Sequence, residues 1–196
     1  KYAVLTTKHH EGFCMFNTKY TDYNVMYTQY GKDIVKEFVD AFRAEGLKVG
    51  FYYSLIDWHH PDFTIDAIHP RRYDADAEAQ NQGRDMKKYA EYMRNQVREL
   101  LTNYGKIWEV WWDGAGSTEA HYDWERWATT VRKLQPDAVI FGSLGAEPFV
   151  ESRWVGNEKG FAGDPCWCTV RSETLLVETT SELNSGDLNG NRFIPA

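Results

Sequence analysis

Apolar residues along this chain fall into two alternating kinds of run. Short, nearly continuous ones occur at residues 2–7 (opening Tyr2-Ala3-Val4-Leu5), 49–55, 107–112 and 138–142. Continuous rather than alternating apolar character predicts strands of a parallel sheet covered on both faces. Between these runs the spacing lengthens to a helical one. Over residues 33–45, Ile34, Val35, Phe38, Val39 and Phe42 share one face, Asp33 is placed to cap the start and Gly46 to end it. Met86, Tyr89, Met93, Val97 and Leu100 or Leu101 predict a second helix over 83–103, and a third is expected at about 120–134. Residues 57–80, with three His and two Pro, read as a long polar loop. Arg153-Trp154-Val155 predicts one further short strand.

Strands alternating with helices at this spacing imply parallel strands joined by crossover helices. An open doubly wound sheet and a (β/α)8 barrel both satisfy that order. No G-x-G-x-x-G turn follows any strand, which removes the dinucleotide-binding version of the open sheet. Chemistry-bearing residues instead crowd just past the strand ends: His9-His10, Asp57-Trp58-His59-His60, Asp113 and Asn157-Glu158. In a barrel those ends converge on one mouth. The expected fold is therefore α/β, a (β/α)8 TIM-like barrel present as about four or five of its units. Lys1 opens directly into a strand and Phe193-Ile194-Pro195-Ala196 closes without a polar tail. Residues 1–196 thus read as an internal, incomplete fragment of one catalytic barrel domain.

Charge and composition narrow the partners. With 22 basic against 29 acidic side chains the net charge is −7, and no run of basic residues offers the positive field that tracks phosphates. No nucleic-acid partner is expected. Nothing approaches the roughly 20 apolar residues that span a bilayer, so no membrane span is expected either. The 8 Trp, 12 Tyr and 10 Phe, 15% of the chain, supply flat apolar faces that suit sugar C–H surfaces and equally fill cores. Cys14, Cys166 and Cys168 form no regular framework, and Cys166-Trp167-Cys168 is too close-set for an ordinary zinc pair. All three read as free, buried thiols.

Asp113 follows a strand rich in tryptophan (Trp108, Trp111, Trp112) and precedes Gly114-Ala115-Gly116, so its carboxylate has an apolar wall behind it and flexible backbone in front. By position alone it is equally a turn residue before glycine. Glu158 follows another short strand beside Trp154, where an apolar wall would favour the neutral acid that a proton donor requires. Two carboxylates at neighbouring strand ends can face one another across a barrel mouth. His9 and His10 would send one ring into that mouth and the other toward its wall. Of Tyr52 and Tyr53, alternation allows only one to point inward. A metal-dependent hydrolase using His9, His10, His59 and Asp113 as ligands is a competing reading, against which stands the lack of any H-x-H or H-x-x-x-H spacing.

Several stretches together resemble a known family. These are Thr6-Thr7-Lys8-His9-His10-Glu11-Gly12-Phe13-Cys14, Lys19-Tyr20-Thr21-Asp22, Gly50-Phe51-Tyr52-Tyr53-Ser54 with Asp57-Trp58, and Val110-Trp111-Trp112-Asp113-Gly114. They resemble the α-L-fucosidases of glycoside hydrolase family 29 from residue 1 to about 168. Arg153-Trp154-Val155-Gly156-Asn157-Glu158 is similar to the acid/base segment of the subgroup that prefers α-1,3/1,4-linked fucose. One stretch departs: where that subgroup usually reads Ile-Phe-Ser-Asp-Ala-Gly, this chain has Ile140-Phe141-Gly142-Ser143-Leu144-Gly145, without the Asp.

The resemblance implies a catalytic barrel followed by a β-sandwich, with the sandwich and the first barrel strands absent from this chain. It implies Asp113 as nucleophile, Glu158 as acid/base, and His9, His10, Tyr52 and Trp111 as residues holding the fucose ring. It further implies a retaining glycosidase acting on fucosylated oligosaccharides or glycoconjugates with no metal or organic cofactor, exported from the cell or, in animals, lysosomal. A non-catalytic fucose-binding fragment is the third reading. Of Glu147, Glu151 and Glu158, the first two flank Pro148 without apolar support and are expected to be solvated, whereas Trp154, Phe161 and Trp167 near Glu158 favour it as the proton donor.

Overall fold

The computed structural model describes residues 1–114, 123–142, 149–153 and 155. Its strands are β1 (Tyr2–Lys8), β2 (Lys48–Ser54), β3 (Glu109–Asp113), β4 (Val139–Gly142) and β5 (Ser152–Arg153). They form one sheet in the order β1-β2-β3-β4-β5, every neighbouring pair parallel. The helices are α1 (Ile34–Ala44), α2 (Ala77–Asn81), α3 (Met86–Asn103) and α4 (Trp124–Leu134). Each strand lies beside its predecessor, and right-handed crossovers then keep every connecting helix on one face. A doubly wound sheet would reverse its strand order to cover both faces. This chain instead has the arrangement of consecutive units of a (β/α) barrel.

Local sequence explains the elements. The Asp33 side chain accepts a hydrogen bond from Lys36 N at 2.9 Å to cap α1, and Asp85 caps α3 by accepting from Lys87 N at 2.9 Å. Gly46, at φ +71°, takes the left-handed conformation that ends α1. The 57–80 stretch is less irregular than its polarity predicts: it holds a 3-10 turn at Pro70–Tyr73 and the start of α2. Pro70 at the start of the turn and Asp76 just before α2 are the local signals for them.

The two faces of the sheet differ. Val49, Phe51 and Tyr53 of β2, Val110 and Trp112 of β3 and Ile140 of β4 meet Val35 and Val39 of α1, Met93, Val97 and Leu100 of α3 and Trp127 and Val131 of α4 in one buried core. The opposite face carries Thr6, Tyr52, Trp111 and Phe141 in register across β1 to β4. On this face β1 is not the fully covered strand expected, since Tyr2 is 43% exposed and Thr6 is exposed.

The register of β1 slips once. Thr6 pairs with Tyr52, but Lys8 pairs with Tyr53, so Thr7 is an extra residue. Such a bulge re-aims the side chains beyond it. Lys8 turns to the helix-covered face, where its Nζ lies 4.5 Å from the Tyr53 ring centre and 3.1 Å from Asp57 Oδ2. Thr7 Oγ1 donates to Tyr52 O at 2.7 Å and holds the bulge.

Candidate active site

The C-terminal ends of β1, β2 and β3 bring together Asp113, Tyr52, His9, His10 and Trp111. Glu109, Trp111 and Asp113 alternate along β3 onto the face away from the helices, as do Gly50, Tyr52 and Ser54 along β2. Tyr52 OH donates to Asp113 Oδ2 at 2.5 Å, and Gly114 N donates to Asp113 Oδ1 at 2.7 Å. Burial, reinforced by the acceptor Asp113, pushes the Tyr52 phenol well above its ordinary value, so it remains a donor. Tyr53, its neighbour, turns to the core and donates to Gln96 Oε1 at 2.6 Å. That settles which of the two tyrosines faces the site.

Both histidines reach the mouth. Their rings lie 4.1 Å apart, and His9 stacks on Tyr52 at 5.6 Å with an angle of 8° between planes. His9 is the exposed one, with Nδ1 3.5 Å from Glu11 Oε2. His10 is half-buried: its Nδ1 lies 2.6 Å from Ser54 Oγ, and the edge of Trp58 packs against it at 5.3 Å. Burial, and then the neighbouring His9, hold His10 below its usual pKa, so its ring is neutral near pH 7. Trp111 meets the rings of Tyr52 at 5.0 Å and Phe141 at 4.8 Å, and these form an aromatic wall beside Asp113.

His9, His10 and Asp113 each present a ligand atom within 4.8 Å of the others, so three of the four residues of the metal reading do converge. His59 does not, since its ring packs on Tyr23 at 3.9 Å. Asp57 also leaves the mouth: it is buried behind the sheet, accepting from Lys8 Nζ and from His59 N and His60 N. Its Oδ1 would lie 2.2 Å from a Cβ at residue 12, and only glycine, at φ +85°, permits that approach. The loops after β1 and β2 are locked together there. Two surface grooves, one between α3 and α4 and one beside Lys48 and Trp108, lie away from this edge.

The expectation for Glu151 is overturned. It is 3% exposed, ion-paired with Arg132, and its Oε2 accepts from Ile140 N at 2.7 Å. The polar stretch around Pro148 predicts a solvated carboxylate, but the guanidinium of Arg132 on α4 and the end of β4 enclose it. Glu147, Glu158, Cys166 and Cys168 lie outside the described residues. Cys14 is free and buried as expected, and burial pushes its thiol up to about 11. Ser54 and Trp58, both against His10, were legible only in part. Ser54 lies two residues after Tyr52 on the same strand face, but serine in a strand carries no distinctive signal.

A carboxylate gripped by two donors, two histidines and a wall of edge-to-face aromatic rings thus gather at the C-terminal edge of a parallel sheet, the edge at which enzymes of the (β/α) barrel class keep their chemistry. Comparisons with known proteins specify the class further. The model of the family described as alpha-L-fucosidase matches residues 1–166. Alpha-L-fucosidase 1 of Arabidopsis thaliana is 34% identical over 202 residues, covering 99% of this chain and 35% of that protein. Alpha-L-fucosidase isoenzyme 1 from Paenibacillus thiaminolyticus superposes with a TM-score of 0.72 at 39% identity, over 86% of this chain and 43% of its own. The putative alpha-L-fucosidase from Bacteroides thetaiotaomicron gives 0.70 at 41% identity, over 100% and 40%. The chain belongs to the alpha-L-fucosidase family. It spans between about a third and a half of the length of these relatives.

Proposed function

We propose that this chain carries the catalytic centre of a retaining α-L-fucosidase that removes terminal, α-1,3/1,4-linked L-fucose from glycans, within a complete (β/α)8 barrel. The observation that carries this reading is the Asp113 carboxylate held by Tyr52 and Gly114 at the end of β3, beside His9, His10 and the Trp111 wall. Asp113 attacks the anomeric carbon while the bond to the departing oxygen breaks, giving a glycosyl ester. Glu158 protonates that oxygen, then takes a proton from the water that cleaves the ester, releasing Asp113 as a carboxylate. Retaining enzymes keep such carboxyls about 5–5.5 Å apart. The segment Arg153 to Glu158 supports both the acid/base role and the linkage, through its similarity to the subgroup that prefers α-1,3/1,4-linked fucose.

Tyr52 holds Asp113 in line for attack and shares the charge that returns to it when the ester breaks. His9 and His10 hydrogen-bond sugar hydroxyls, and Trp111 packs against the C–H face. The test is fucose release from α-1,3/1,4-fucosylated oligosaccharides by the complete polypeptide, with the anomer of the first product followed by NMR. Initial release of β-fucose contradicts retention. The convergence of His9, His10 and Asp113 supports a second reading, metal-assisted hydrolysis. Full activity after exhaustive chelation excludes it.

A further inference from the structure

We infer that Ser54 is a positioning residue that fixes His10 as the Nδ1–H tautomer and leaves His10 Nε2 as a hydrogen-bond acceptor for a substrate hydroxyl. One buried hydroxyl has too few protons for any other arrangement to satisfy its neighbours. Ser54 Oγ has three of them: Ile56 N at 3.0 Å, Ile56 O at 2.9 Å and His10 Nδ1 at 2.6 Å. An amide N–H only donates, a carbonyl only accepts, and a serine hydroxyl has a single proton with two lone pairs. If that proton goes to Ile56 O, the lone pairs accept from Ile56 N and from His10 Nδ1–H, and all three contacts are hydrogen bonds. If it goes to His10 Nδ1 instead, two oxygens face each other at 2.9 Å without a proton between them. Ile56 O would then lose its hydrogen bond, the one drawn to it among the described residues, at a residue only 2% exposed.

The rest of the ring is held in the same pose. His10 O accepts from Trp58 N at 2.8 Å, and the Cε1 edge lies 3.4 Å from where a Cβ on Gly114 would stand. With Nδ1 committed to Ser54, Nε2 is the nitrogen left for a ligand. An acceptor there takes an O–H from a polyol. A donor there would instead compete for Asp113, one of whose oxygens must attack carbon. Ser54 therefore decides whether His10 reads a hydroxyl or blunts the nucleophile. The substrate half of this inference rests on the fucosidase reading; the tautomer does not.

Two measurements on the complete polypeptide separate them. Nitrogen NMR of the ligand-free protein, with ring-labelled histidine, should show His10 protonated at Nδ1 and bare at Nε2; the opposite tautomer overturns the assignment. In kinetics, Ser54→Ala should lower kcat/KM by about tenfold, the loss expected for one hydrogen bond, while Ser54→Thr, which keeps Oγ, should restore most of it. His10→Gln retains a polar group near Nε2 and has no atom at Nδ1. In that background Ser54→Ala should cost less than about twofold if it acts through His10. An equal loss in both backgrounds would show a merely structural role and overturn the proposal. If the unsubstituted protein releases no fucose, the activity reading falls and the NMR measurement still decides the tautomer.

Discussion

Tyr52 and Asp113 lie on adjacent parallel strands with the phenol oxygen 2.5 Å from Asp113 Oδ2. Two strands thus deliver a donor and an acceptor to the same point, and the sheet ladder rather than a loop fixes their separation. Removing only the donor tests how much this matters. Tyr52→Phe keeps the ring that stacks on His9 and deletes a hydrogen bond to a charged group, worth about 1.5–3 kcal/mol. The expected result is a fall in kcat of about 10- to 100-fold with fold stability little changed, read from steady-state kinetics and thermal denaturation side by side.

Asp113→Ala should reduce turnover by on the order of 10⁴-fold, as expected when a covalent nucleophile is lost. Added azide should restore part of the rate by entering the space of the carboxylate, and the fucosyl azide so formed can be identified by NMR. Near-normal activity in the variant would remove Asp113 from the mechanism.

Glu158 and Glu151 should separate by the kind of damage they cause. A proton donor matters most for a poor leaving group. Glu158→Gln is therefore expected to cripple cleavage of a fucosyl oligosaccharide while sparing the first step on an activated aryl fucoside. Glu151→Ala breaks the buried pair with Arg132 and should instead cost about 3 kcal/mol of stability, visible in urea denaturation, with no dependence on the leaving group. An oligosaccharide-specific defect at Glu151 would reverse the two roles.

Glu109 gives a pH-dependent prediction. Burial raises its carboxyl to about 7, so the folded protein binds this proton more tightly than the unfolded chain does. Stability then declines as pH rises from the ordinary carboxyl range, near 4.5, through about 7, and levels off above. Glu109→Gln should remove that decline, with a gain on the order of 3 kcal/mol at pH 8 and little change at pH 4. Parallel unfolding curves at the two pH values for both proteins provide the check.

The periodic elements were legible because their signals are local. Asp33, the Ile34 to Phe42 face and Gly46 define α1 without help from the rest of the chain, and the strand-end positions of Asp113 and His10 follow from where β3 and β1 stop. The features that escaped depend on a neighbour distant in sequence. Glu151 looks solvated until Arg132, nineteen residues earlier, is folded against it. Asp57 belongs with His59 and His60 in the sequence, but Lys8 draws it behind the sheet. No periodicity announces the role of Ser54, because its partner His10 is forty-four residues away.

The single extra residue at Thr7 makes the end of β1 sensitive to length in a way that it is not to composition. Adding one residue between Thr7 and Lys8, with the bulge kept, would set the newcomer opposite Tyr53 and swing the Lys8 ammonium from its pocket beside Tyr53 and Asp57 to the face where Tyr52 and Asp113 stand. The same shift would push His9 and His10 one position further past the rim. Substitutions along this segment can be graded, each costing what its own contacts are worth, whereas a one-residue insertion inverts inside and outside for everything downstream up to the next turn. Sequence drift in this arm of the chain should therefore proceed by replacement, with no residue added.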